Sequence, residues 1–235
     1  MTQTTAVLIH GAFTDGASWA TVVNRLQGAA VNVLVPANPL RGLNDDGESI
    51  TRIVRQIAAP VLLVGHGYGG AVITHTGSQA GNVRGLVFVA SHGLERGQSV
   101  ADSLAAFPAS FLAAVLEAVP GEAGGETQLL IQPARFGEVF AADLPRQRQD
   151  VLAVSQRPVV AAAFTEPLAV EPAWTSLPSW SLITTEDRMI DPDIQRAAAR
   201  RLGATSAEVA ASHAVLLSQP ETVTVFILKA LAALS

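Results

Sequence analysis

Four apolar residues, Val61-Leu62-Leu63-Val64, run without a break into Gly65-His66-Gly67-Tyr68-Gly69-Gly70 and on into Ala71-Val72-Ile73. The continuous apolar run predicts a strand covered on both faces, as in a parallel sheet. The alternating glycines predict a tight turn, and the residues beyond it, from about Gly69 to Gln79, read as a helix. A strand that turns at once into a helix confines the chain to layered α/β architectures.

The flanking sequence keeps the same rhythm. Ala6–Ile9, Val31–Val35 and Leu86–Val89 read as further strands, with helices over about Trp19–Leu26 and Glu48–Ile57. This order calls for a parallel sheet with right-handed crossovers. The rhythm stops near His92. From there to about Pro178 the chain is rich in Ala, Leu and Pro, and Ser99–Phe107, Ser110–Ala118, Phe136–Ala142 and Arg146–Ser155 look helical, with Pro120–Glu126 a loop. We therefore expect an α/β core over 1–92 and 179–235 and a helical cap inserted over 93–178. The sheet resumes with a strand at Trp180–Thr184, a helix at Pro192–Leu202, a short strand at Ser206–Val209 and a closing helix at Pro220–Leu234 with proline in its first turn.

Composition removes several functional classes. Hydrophobic residues make up 49% of the chain and charged residues 15%, with a net charge of −5 and no basic stretch, so nucleic acid is not an expected partner. No apolar run approaches the ~20 residues of a membrane span. Met1–Thr5 shows neither a basic region nor a cleavage site, and the expectation is a soluble, cytoplasmic protein. Zero cysteines exclude disulfides and thiol nucleophiles. His10, His66, His75, His92 and His213 lack metal-type spacing. No nucleotide or flavin signature appears either, and no cofactor is expected.

In an open parallel sheet, ligands bind beyond the carboxyl ends of the strands. Five polar or glycine-rich segments fall at such ends: His10-Gly11-Ala12, the glycine turn, Ser91-His92, Glu186-Asp187 and Ser212-His213. Four of them carry a family resemblance. Leu8-Ile9-His10-Gly11-Ala12, Gly65-His66-Gly67-Tyr68-Gly69-Gly70, Thr185-Glu186-Asp187-Arg188 and Ala211-Ser212-His213-Ala214 resemble a compact α/β-hydrolase of the esterase and hydroxynitrile-lyase-like branch. The order turn, acid, histidine is the one that fold uses, and the turn matches G-x-S-x-G with glycine at the nucleophile position.

The resemblance implies roles. His213 would be the general base. Asp187 would orient it, although Glu186, Asp191 and Asp193 are neighbouring carboxylates that could serve instead. The backbone amides of Ala12 and Tyr68 would form an oxyanion hole. His10 and His66 are read as supports of their loops, and His75 as packing. Ser91 and Ser212 lie near the site but lack the elbow. For the substrate we expect contacts from Phe13, His92, Phe140 and Trp174. The apolar content of the cap, which includes Leu104, Phe107, Phe111, Leu112, Phe136 and Phe164, suggests a small apolar ester, lactone or related molecule.

Gly67 is the departure. Glycine bears the backbone strain of an elbow with little penalty and carries no hydroxyl, so no acyl-enzyme can form there. Three readings remain open. The chain is a disabled serine hydrolase, or a serine-independent catalyst in which His213 activates water or drives a decarboxylase or lyase step, or a ligand-binding protein without catalysis. Plant methylketone synthases resemble the second case.

Overall fold

The computed structural model describes residues 3–105, 107, 111–121 and 125–234. The chain runs β1 (Thr5–Ile9), α1 (Ala20–Gly28), β2 (Asn32–Leu34), α2 (Leu43–Val54), β3 (Val61–His66), α3 (Tyr68–Gln79), β4 (Val83–Val89) and α4 (Val100–Ala105). It continues through β5 (Leu116–Val119), β6 (Gln128–Ile131), α5 (Pro133–Phe140), α6 (Arg146–Ser155), β7 (Val159–Val160) and α7 (Ala162–Thr165). It closes with β8 (Ser179–Thr184), α8 (Pro192–Arg201), β9 (Thr205–Val209), α9 (Val215–Ser218) and α10 (Pro220–Ala233).

Six strands form one parallel sheet in the order β2-β1-β3-β4-β8-β9. Side chains along a strand alternate between its two faces. Val7, Ile9 and Leu63 accordingly pack on one face with residues of α2, α3 and the 93–178 segment. Ala6, Leu8, Leu62 and Val64 pack on the other with residues of α1 and α10. Both faces are covered, which is why β3 reads as an unbroken apolar run and all six of its residues are buried.

Between β4 and β8 the chain is not all helix. A three-stranded antiparallel sheet, β5-β6-β7, stands among the helices expected there. The helix expected over 110–118 is instead a 3₁₀ turn, Phe111–Ala114, followed by β5, with Ser110 outside the described residues. Leu116 to Val119 pair register by register with Ile131 to Gln128. That partner lies across a loop, and a segment's own helix preference is weak enough for such tertiary pairing to override. The helix expected at 99–107 is α4, shorter at both ends, with Ala106 outside the described residues. Of the loop expected at 120–126, residues 122–124 lie outside them too. The helix expected from Glu48 begins at Leu43, where the Asn44 amide of its first turn donates to Glu166 Oε2 at 3.0 Å and the Arg41 amide ahead of it donates to Asp46 Oδ1 at 3.1 Å.

Candidate active site

The turn between β3 and α3 holds Gly67 at φ +52° and ψ −121°, a conformation in which L side chains are strained. The Gly67 amide donates to Val89 O at 3.1 Å, and its carbonyl accepts from the Ser91 hydroxyl at 2.5 Å and the Gly70 amide at 3.0 Å. Gly69 is required by proximity: a Cβ there would lie 2.5 Å from Ile9 O, so only glycine lets α3 start this close to β1.

His213 follows β9 and faces this turn. An ideal Cβ on Gly67 would lie 2.8 Å from His213 Nε2, so the ring reaches into the space a side chain would fill. Nδ1 lies 2.8 Å from Asp187 Oδ2. The ring packs edge-on against Phe140, with centroids 5.0 Å apart, and tilted against His66 at 4.6 Å. His66 Nε2 donates to His213 O at 2.8 Å, and the Ala214 amide donates to Phe140 O at 2.9 Å, so the backbone on both sides of the imidazole is tied down.

Asp187 is fully committed. Oδ2 also accepts from the Thr184 hydroxyl at 2.9 Å and Gln195 Nε2 at 3.0 Å. Oδ1 accepts from the amides of Met189 at 2.8 Å and Ile190 at 3.0 Å. Five donors hold this buried carboxylate in one orientation. Of the neighbouring acids, Glu186, Asp191 and Asp193 are exposed. Asp191 caps α8 through the Asp193 amide.

Tyr68 is the first residue of α3, where a backbone N–H has no acceptor within the helix. Its hydroxyl donates to Asp46 Oδ2 at 2.7 Å. Burial raises the pKa of Asp46, and burial together with the Asp46 charge raises that of Tyr68. Ala12 sits in the loop after β1, ahead of Phe13, whose φ of +62° is again a strained value for a side chain of this size. That loop is fastened by His10. Its Nδ1 lies 2.9 Å from Gly11 O, its Nε2 accepts from the Asn38 amide at 3.1 Å, and its own carbonyl accepts from Asn38 Nδ2 at 3.1 Å. Burial lowers the pKa of His10, and burial and the neighbouring His213 bring that of His66 to about 3.

These groups surround a small cavity of about 30 Å³, walled by Ala12, Phe13, Tyr68, His92 and His213 and closed by apolar side chains including Leu104, Leu112 and Phe164. The last three also wall a larger apolar groove of about 500 Å³ between α4 and the small sheet. Phe13 and His92 line the small cavity. Phe140 and Trp174 do not line the cavity. Phe140 is packed against His213 and stacks on Phe136, and Trp174 is held by a 2.9 Å bond from Nε1 to Leu94 O. Both were expected at the pocket because they are large and apolar, and neither composition nor order shows which way such a side chain turns. Ser91 and Ser212 are spoken for as well, Ser91 by Gly67 O and Ser212 by Asp143 and Phe140 O. His75 packs against Gly47, where a Cβ would meet its ring. Thr184, Gln195, Met189 and Ile190 escaped the sequence reading. Only Gln195, a polar residue on the inner face of the helix after Asp187, left a faint signal.

The Alpha/beta hydrolase family model matches residues 6–225. The chain belongs to the alpha/beta hydrolase family. No curated protein matches it. Among solved structures, a pyrethroid hydrolase from Sphingobium faniae superposes with a TM-score of 0.81 at 20% identity, covering 99% of this chain and 98% of that one. An extracellular alpha/beta-hydrolase from a Paenibacillus species, described as sharing structural and functional homology with tobacco salicylic acid binding protein 2, gives 0.81 at 21% identity over 96% and 98%. A methylesterase protein from Arabidopsis gives 0.80 at 17% over 98% and 99%. At these identities the likeness is one of fold. Among the described residues no helix is long and apolar enough to cross a membrane.

Proposed function

We propose that this alpha/beta hydrolase is a carboxylic ester or lactone hydrolase framework whose nucleophile position is vacant. One observation carries the reading: the His213–Asp187 pair is aimed at Gly67, and Gly67 keeps the strained elbow conformation although nothing hangs from it. In this reading His213 Nε2 is the base, Asp187 fixes its tautomer and stabilises the imidazolium, and the amides of Ala12 and Tyr68 receive the carbonyl oxygen as it becomes negative. The ligand is a small apolar ester or lactone whose body lies among the side chains of the 93–178 segment.

The test is Gly67→Ser. A hydroxyl there would lose its proton to His213 as its oxygen attacks the carbonyl carbon, and the alcohol would leave with that proton. Turnover of short p-nitrophenyl esters should rise by about 10³-fold or more, given that loss of the serine from a triad costs about a millionfold. The substitution should also destabilise the fold by about 1–3 kcal/mol from backbone strain at φ +52°, and the His213 ring, 2.8 Å from an ideal Cβ there, must give way as well. A folded serine variant with no gain sinks the reading.

The position of His213 Nε2 favours a second reading, a catalyst that works without serine. The ring occupies the vacated space, where it can take a proton from water attacking the ester or from the substrate itself. His213→Ala in the otherwise unchanged chain should then abolish native turnover. Turnover that survives the change excludes His213 as that base.

A further inference from the structure

His92 has no part in the scheme above. It follows β4 on a loop whose backbone is fastened residue by residue. The Ala90 amide donates to Leu182 O at 2.9 Å, Ser91 Oγ to Gly67 O at 2.5 Å, Trp174 Nε1 to Leu94 O at 2.9 Å, and Arg201 to Gly93 O. Ala90 adopts φ +47°, a strained turn that carries the chain inward directly after the strand. The His92 side chain that this scaffolding presents is 1% exposed and lines the same cavity as His213. Neither Nδ1 nor Nε2 has a hydrogen-bond partner among the described residues.

Buried polar groups are almost always paired, and an orphaned one in a well-fastened loop calls for an explanation. We propose that His92 recognises a hydroxyl on the ligand, and that the ligand is an ester of a 2-hydroxy acid. The hydroxyl has to stand next to the carbonyl because the cavity is small. About 30 Å³ holds little more than one or two water-sized groups. His92 and His213 both wall that space, so a substituent that touches His92 stands close to the group on which His213 acts. The larger apolar groove, behind Leu104, Leu112 and Phe164, has room for the rest of the acid. Burial, with the nearby Arg201, lowers the His92 pKa to about 4. The ring is neutral at pH 7, with one donor and one acceptor to offer, and a hydroxyl answers both. The proposal rests on the ester-hydrolase reading for the placement of the carbonyl.

The test uses a matched pair, methyl mandelate and methyl phenylacetate, which differ by one hydroxyl. Binding to the unmodified chain is measured by calorimetry, and the His92 ring nitrogens are followed by ¹⁵N NMR. Mandelate should bind about tenfold more tightly and shift the His92 nitrogens, while phenylacetate leaves them in place. His92→Phe should bring the ratio to about one, and His92→Gln should keep part of it. Equal affinities in the unmodified chain, a ratio retained in His92→Phe, or failure of both esters to bind overturns the proposal. The NMR arm decides the matter if His92→Phe does not fold. A hydroxyl preference that persists while Gly67→Ser stays inactive would sink the ester-hydrolase reading alone. A serine variant that hydrolyses both esters equally, with equal binding, would sink this proposal alone.

Discussion

Two loops leave neighbouring strands of the main sheet, the one after β8 carrying Asp187 and the one after β4 carrying His92. Both deliver a buried titratable side chain to the same region. The Asp187 carboxylate accepts five hydrogen bonds from within the protein, and the His92 ring makes none among the described residues. The first is a finished component, oriented by the chain for the chain's own histidine. The second is rigidly supported and chemically unfinished. A charge can be buried only when it is paired, whereas a neutral imidazole can be left waiting at a cost the fold tolerates. A site that holds both is divided between parts that do chemistry and parts that receive a ligand.

The contrast predicts the largest effect at Asp187. Asp187→Ala leaves the amides of Met189 and Ile190 and His213 Nδ1 without their acceptor, and takes one partner each from Thr184 and Gln195, which keep each other. It should cost about 3–5 kcal/mol in urea denaturation and about 10⁴-fold in turnover in a serine-restored background. A loss below about 1 kcal/mol would mean that the pairing around Asp187 carries little weight.

Acid gives the next effect. Burial holds His66 and His92 neutral in the fold, with pKa values of about 3 and about 4 against an ordinary 6.5. The unfolded chain therefore binds more protons than the folded one once the pH drops below 6.5. Stability is at its full value above that pH and falls as the pH is lowered, until the folded pKa values are reached. Each ring should cost about 2 kcal/mol at pH 5 relative to pH 7. Urea midpoints measured across that range test this, and His92→Phe should remove the share of His92 only. A flat profile would show that these rings take up protons in the folded state.

The smallest change sharpens the comparison at the His92 loop. Trp174→Phe deletes the bond to Leu94 O and keeps an aromatic ring against the core. It should cost about 1 kcal/mol in urea denaturation. It should also weaken any preference for the hydroxy ester by letting the loop drift. A loss of stability with the preference intact would place the anchoring of His92 in its other fastenings.

The order of the parallel strands was legible because a strand covered on both faces leaves a continuous apolar run, and Val61–Val64 is such a run. The glycine turn, Asp187 and His213 were legible as a set because they fall at strand ends in a fixed order. The small sheet β5-β6-β7 was not, since Leu116–Val119 becomes a strand only by pairing with Gln128–Ile131. Nor was the inward or sideways turn of Phe140 and Trp174, which depends on what each ring finds beside it.

The sequence by itself determined that this chain forms a parallel α/β sheet and that position 67 has no nucleophile. Both follow from local facts, the period of the apolar residues and the absence of a side chain. Only the tertiary structure decided which acid meets His213, how far that ring reaches toward Gly67, and that the His92 ring finds no hydrogen-bond partner among the described residues. Those are distances between residues remote in sequence, set by packing the two faces of the sheet, and no local pattern encodes them.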